Sequence, residues 1–193
     1  MMKMSLHFFL QKHNRLTLAV VGLLGISLIG GYFIYGYVGF GVMNYVNMRD
    51  RAGVTKMFKD DWNILIAQEH HDTYSLDEFL DEAKSHGEQL ENAQFKVLRK
   101  NGKTVAFACY YQKSPFWWHL LFLMVDKDHR RQGYAKKMLN AAIDDMRSRG
   151  AIKITISTRQ DNKTAQALYH SAGFTDLDFF GIYMDLIKYF PKK

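Results

Sequence analysis

The sequence predicts an α/β fold built on a mixed sheet, set behind an apolar N-terminal segment. Three observations carry that expectation. Alternating runs at Gln94–Arg99 and Thr104–Gln112 flank Asn101-Gly102, the turn pair of a tight antiparallel hairpin. The run "FWWHLLFLMV", Phe116–Val125, is apolar throughout, as befits a central strand covered on both faces. A glycine-led helix from Gly133 to Gly150 then precedes the strand-like "AIKITIS", and a helical crossover within one sheet makes its two strands parallel.

The elements follow in order. Residues 1–15 form a basic segment, with Lys3, Lys12 and Arg15 and no acid, and Leu16–Met48 carries no charge. A helix over Leu16–Phe40 would extend about 37 Å, enough to cross a ~30 Å hydrocarbon core. Tyr32, Phe33, Tyr35, Tyr37 and Phe40 crowd its end, as aromatics do at a membrane interface. We therefore expect a hydrophobic transmembrane-type helix, with residues 16–41 a membrane anchor in contact with lipid. A cleaved signal peptide is the alternative, but the run is long for one and offers no clear A-x-A site. Gly30-Gly31 would allow a re-entrant hairpin, and cations flank the run on both sides, so the positive-inside rule leaves topology open.

Residues 42–193 read as one domain. A short strand is expected at Asn44–Met48. Val54, Met57, Phe58, Trp62, Leu65 and Ile66 then recur at helical spacing. "SLDEFLDEAKSHGEQL" opens on a capping box, Ser75 with Glu78, and continues with Leu76, Phe79, Leu80 and Ala83 on one stripe. The hairpin and central strand follow. The helix after Gly133 aligns Ala135, Met138, Leu139, Ala142, Ile143 and Met146; a shorter one aligns Ala165, Leu168, Tyr169 and Ala172 and stops at Gly173. "DFFGIYMDLI" supplies a final strand.

Composition narrows the function. The formal charge is +7, from 26 basic against 19 acidic residues. Three of those bases lie in the first fifteen residues, and there is no basic stripe interleaved with aromatics, so a nucleic-acid partner is not expected. The single Cys109 rules out an intrachain disulfide framework. His70-His71 lacks further spaced ligands, and no metal is expected.

Chemistry concentrates in "RRQGYA", Arg130–Ala135. Amides at a helix start are unsatisfied and the helix dipole favours an anion there. Gly133 and Ala135 keep side chains out of the way. One strand later comes "NKTAQALYHSAGF", Asn162–Phe174. Together these motifs resemble the acetyl-CoA-binding core of the GNAT superfamily of N-acetyltransferases, over about Asn44 to Leu186. The resemblance implies a mostly antiparallel mixed sheet whose two central parallel strands splay apart, with flanking helices. It places the pantetheine arm of acetyl-CoA along the backbone of Leu123, Met124 and Val125. The pyrophosphate would sit on the amides of Arg131, Gln132, Gly133, Tyr134 and Ala135, with Arg130 or Arg131 adding charge. Asn162 would lie near the pantetheine arm, and the Tyr169 hydroxyl would meet the thioester sulfur.

The implied reaction is direct attack of a primary amine on the thioester. Deprotonating an alkyl ammonium of pKa ~10.4 at neutral pH costs about 4.6 kcal/mol, so a base or desolvation must help. Tyrosine, at ~10, is a weaker acid than the departing thiol at ~8.5, which makes Tyr169 first a hydrogen-bond donor to sulfur. Many relatives place a glutamate where this chain has Leu121 and Phe122. His119, the nearest titratable residue on that strand, is the expected base. The expectation is an acetyl-CoA-dependent, membrane-tethered N-acetyltransferase for an unidentified amine, its domain facing the cytosol, with a homodimer left open. The alternative is a catalytically silent acyl-CoA-binding module.

Overall fold

In a computed structural model of the protein, the described residues are 41–65, 75–82, 84–85, 88–90 and 92–191. The expected basic segment and all but the last residue of the expected anchor lie outside them. Among the described residues no helix is long and apolar enough to cross a membrane.

The strands are β1 (Gly41–Asn44), β2 (Lys84–Ser85), β3 (Glu88–Gln89), β4 (Gln94–Lys100), β5 (Lys103–Ser114), β6 (Trp117–Val125), β7 (Lys153–Arg159), β8 (Thr175–Phe180) and β9 (Tyr183–Tyr189). The helices are α1 (Asn47–Leu65), α2 (Leu76–Glu82), α3 (Tyr134–Ser148) and α4 (Lys163–Ser171). Seven strands form one sheet in the order β1-β4-β5-β6-β7-β9-β8, and β2 and β3 pair separately. Every pairing is antiparallel except β6 with β7, the parallel pair expected from the crossover.

Two apolar layers cover the sheet. On one face α3 and α4 bring Met138, Leu139, Met146 and Tyr169 against Leu120, Ile154, Ile156 and Leu186. On the other, α1 and α2 bring Val54, Phe58 and Phe79 against Phe107, Cys109 and Phe122. Phe122 meets Phe58 edge-on at 4.9 Å and Phe79 at 5.3 Å, contacts worth about 0.5–1.5 kcal/mol each beyond burial.

Three expectations are corrected. The first strand is Gly41–Asn44, not Asn44–Met48, because the chain turns into α1 at once. Asp50 in the first turn of α1 accepts from the Val46 amide at 2.7 Å, and its charge complements the helix start. The anchor expected to end at residue 41 therefore meets a strand residue there, since Gly41 pairs with Arg99. The helix read from "SLDEFLDEAKSHGEQL" ends at Glu82 and gives way to the β2–β3 ribbon. Ser75 does cap it, accepting from the Glu78 amide at 3.2 Å. Finally, the single C-terminal strand is a hairpin that turns at Gly181 with φ +56°, and β9 inserts between β7 and β8.

An irregularity in β6 shapes the site. Cys109 pairs with Phe122 and Tyr110 with Leu120, so Leu121 has no partner on β5 and forms a bulge. Before it, Trp118 and Leu120 face α3; beyond it, Phe122 and Met124 face α1. The bulge explains why a strand that changes faces reads as continuously apolar.

Candidate active site

β6 and β7 pair from Trp117↔Lys153 to Leu120↔Ile156 and then part company. Beyond the Leu121 bulge, Phe122–Val125 keep β5 as a neighbour, and Ser157–Arg159 keep β9. The result is a split whose inner edges have no strand partner, opening at the bulge. A cleft of about 770 Å³ runs from this split to the start of α3.

Expected cofactor residues converge on it. Leu123, Met124, Val125, Arg130, Arg131, Gly133, Tyr134, Ala135 and Asn162 line the cleft, as does Tyr169. Gln132 and His119 do not. Gln132 is turned to Lys100, whose ammonium donates to it at 3.3 Å.

The loop before α3 is set by backbone conformation. Arg131 has φ +60° and Gly133, the residue capping α3, has φ +79°. A Cβ on Gly133 would meet no protein atom within 4 Å, so no packing contact demands glycine there. The conformation and the open space in front of the helix do. The first amides of the fifteen-residue α3 lack helical acceptors and border that space.

The two arginines differ. Arg130 is committed: it forms an ion pair with Asp61 of α1, and its Nε donates to the Val125 carbonyl at 3.2 Å. Arg131 is exposed and has no acidic partner among the described residues. Tyr134 turns its ring into the core, leaving its backbone for the cleft. Asn162 caps α4, accepting from the Ala165 amide at 3.1 Å.

Tyr169 is 6% exposed and packs edge-on against Phe174, yet it lines the cleft. Its hydroxyl has no hydrogen-bond partner among the described residues. Burial pushes its pKa far above the usual tyrosine value, so the phenol stays a neutral donor.

His119 lies on the closed side of the bulge. It pairs across the ladder with Thr155, and its Nδ1 is 2.9 Å from the Thr155 hydroxyl, which also accepts from Trp117 Nε1 at 2.9 Å. Burial, with Lys113 nearby, lowers its pKa to about 4. The ring is neutral at pH 7 and does not line the cleft.

The sequence reading missed the ties that hold α1 to the cleft. Besides the Arg130–Asp61 pair, Arg159 at the end of β7 donates to the Asn63 carbonyl at 3.3 Å and forms an ion pair with Asp161 at 2.7 Å. Lys56 of α1 bonds Asp126, just beyond β6, at 2.5 Å. Burial alone would raise the Asp126 pKa, but hydrogen bonds from Lys56 and His129 outweigh it and hold the carboxyl below its usual range. No local pattern announces such pairs, because their members lie 69, 96 and 70 residues apart.

The profile of the Acetyltransferase (GNAT) family matches residues 53–174. The chain belongs to that family. Within it, the chain is 36% identical over 94 residues to [ribosomal protein bS18]-alanine N-acetyltransferase of Escherichia coli (strain K12), covering 49% of this chain and 61% of that protein. The chain thus spans under two thirds of that relative's length. The GNAT fold is shared with PaiA N-acetyltransferase from Thermoplasma acidophilum in complex with coenzyme A. That match has a TM-score of 0.64 at 15% identity, over 79% of this chain and 100% of that one. It is shared too with yncA from Salmonella typhimurium with its cofactor acetyl-CoA, at a TM-score of 0.62 and 18% identity, over 80% and 96% of the two chains. Among the described residues no cluster of His, Cys, Asp and Glu has metal-binding geometry.

Proposed function

We propose that this GNAT protein transfers the acetyl group of acetyl-CoA to a primary amine. The observation that carries the reading is the split between β6 and β7, which opens beside the glycine-capped start of α3. That arrangement suits a ligand with a thin arm and a diphosphate at one end. The arm lies between the strands and bonds the edge backbone of Leu123–Val125. The diphosphate sits on the amides from Arg131 to Ala135, with Arg131 supplying the mobile charge while Arg130 holds the loop to α1.

The thioester then lies near Tyr169. Its hydroxyl donates to the sulfur as the carbon–sulfur bond breaks. The phenol and the thiolate share a desolvated site, so both pKa values rise together and the donor remains the weaker acid. A water delivers the final proton to sulfur.

An α-amine of a peptide is the favoured acceptor class, because the E. coli relative is an alanine N-acetyltransferase. We place the domain on a membrane through residues 16–40. The uncharged run Leu16–Met48 supports this, as does the length a helix over its first 25 residues would span. Acetyl-CoA supply favours a cytosolic orientation.

The test uses the full chain in detergent, with acetyl-CoA titrated by calorimetry. Thiol release is then followed across N-terminal peptides, lysine peptides, polyamines and amino sugars. We expect saturable binding and release with at least one amine, peptides foremost. Absence of both heat and thiol release overturns the reading. Binding without transfer to any amine supports the silent acyl-CoA module, which the lack of a carboxylate at Leu121 and Phe122 favours.

A further inference from the structure

The cleft is lined from both faces of the sheet, by Ile64 and Leu65 of α1 as well as by α3 and α4. The start of α3 and Tyr169 both belong to the face covered by α3 and α4. An amine that attacks the thioester can approach through the other face, the one carrying α1 and α2. On that face the opening is bordered by Leu121 on β6, which packs toward the α1 layer, and by Ser157 on β7. Ser157 is the first β7 residue beyond the closed ladder. It shares its face with Thr155, whose hydroxyl contacts His119, and pairs across β9 with Asp185. The Ser157 hydroxyl donates to Asp185 Oδ1 at 2.5 Å, and both residues are half-buried.

From this juxtaposition we infer that Asp185, acting through the Ser157 hydroxyl, receives the proton of the acceptor ammonium. The inference rests on the acetyltransferase reading above. The ammonium gives a proton to Ser157 Oγ as the serine's own proton passes to Asp185, leaving a neutral amine. The amine nitrogen bonds the thioester carbon, and the carbon–sulfur bond breaks toward CoA thiolate. The second nitrogen proton leaves through water, which also returns a proton to sulfur. The sum is ammonium plus acetyl-CoA giving amide, CoA thiol and one proton. Ser157 is the group that touches the amine; Asp185 is a positioning residue behind it. The groups facing Asp185 from its neighbours are Arg159 and Lys153 on β7, Asp178 directly opposite on β8, and Tyr183 on β9. Arg159 is already paired with Asp161, and Lys153 lies over the Trp117 ring, while Ser157 donates directly to Asp185.

Asp185→Asn keeps the shape and still accepts from Ser157, so it tests charge without removing the contact. Rates of thiol release are compared with wild type from about pH 7 to about pH 10, where an alkyl amine is largely its own free base. We expect Asp185→Asn and Ser157→Ala to lower kcat/KM by about 10²-fold near neutrality, with the deficit shrinking toward high pH. Acetyl-CoA affinity by calorimetry should match wild type in both. Ser157→Thr, which keeps a hydroxyl on a strand-favouring residue, should restore most of the rate. A deficit equal at all pH values marks a structural role and overturns the inference, as does full activity of Asp185→Asn. If wild type binds acetyl-CoA but acetylates no amine, the acetyltransferase reading itself falls and takes this one with it.

Discussion

Tyr169 stands where core and cleft meet, and its two halves have separate duties. The ring packs with Phe174, while the hydroxyl has no partner among the described residues to lose. Tyr169→Phe should therefore leave the melting temperature unchanged and acetyl-CoA affinity intact, yet lower kcat by about 10²-fold, the usual loss on deleting a donor to developing charge. Steady-state kinetics beside a thermal melt separates the two. His119 gives a different kind of prediction. Its folded pKa, about 4, lies below the value of 6.5 it has when unfolded. The unfolded chain thus binds the proton first, so the stability His119 contributes is fully present above pH 6.5 and is lost as pH falls through 4. The loss is about 3 kcal/mol over that window. Denaturant melts at several pH values should show this slope, and His119→Gln should flatten it without abolishing activity. Tyr169 was legible from sequence because its motif is contiguous. The fate of His119 was not, since only the bulge reveals which side of the split it occupies.

At the scale of elements, two glycines do opposite work. Gly53 lies inside α1, where a Cβ would stand 2.9 Å from Thr104 Cβ and 3.2 Å from its carbonyl oxygen. That close approach lets Asp50, one turn earlier, reach both the Thr104 hydroxyl and the Arg99 Nε at 2.7 Å. Burial pushes the Asp50 pKa up, but the Arg99, Val46 and Thr104 hydrogen bonds prevail and hold it below the usual carboxylate range. Gly53→Ala should cost about 1–2 kcal/mol in a denaturant melt, despite alanine's better helix propensity, because overpacking outweighs it. Gly133 has empty space before it instead. Gly133→Ala should cost about 1 kcal/mol of stability from its positive φ, but weaken acetyl-CoA binding by tenfold or more in calorimetry. The reverse pattern would show that the loop does not face the phosphates. The helix stripes and the Asn101-Gly102 hairpin were readable at this scale. The β2–β3 ribbon and the Gly181 turn were not: the first replaces an apparent helical stripe, and the second hides inside an apolar run.

For the whole molecule, the compact unit begins at Phe40 and contains every residue assigned to the site. A chain starting at Phe40 retains β1, so it should bind acetyl-CoA like the full protein while losing cosedimentation with lipid vesicles. Vesicle binding that survives the truncation would assign the membrane contact to the GNAT domain. The sequence by itself determined where most of the helical stripes lie, which helix opens on a glycine, and which family the motifs resemble. These are short-range matters, fixed by periodicity and by glycine at a helix start. Only the tertiary structure decided where β6 bulges, which arginine is free, and that Ser157 and Asp185, 28 residues apart, share a hydrogen bond. Each of those depends on strand register, which the packing of two faces sets and no local run of residues records.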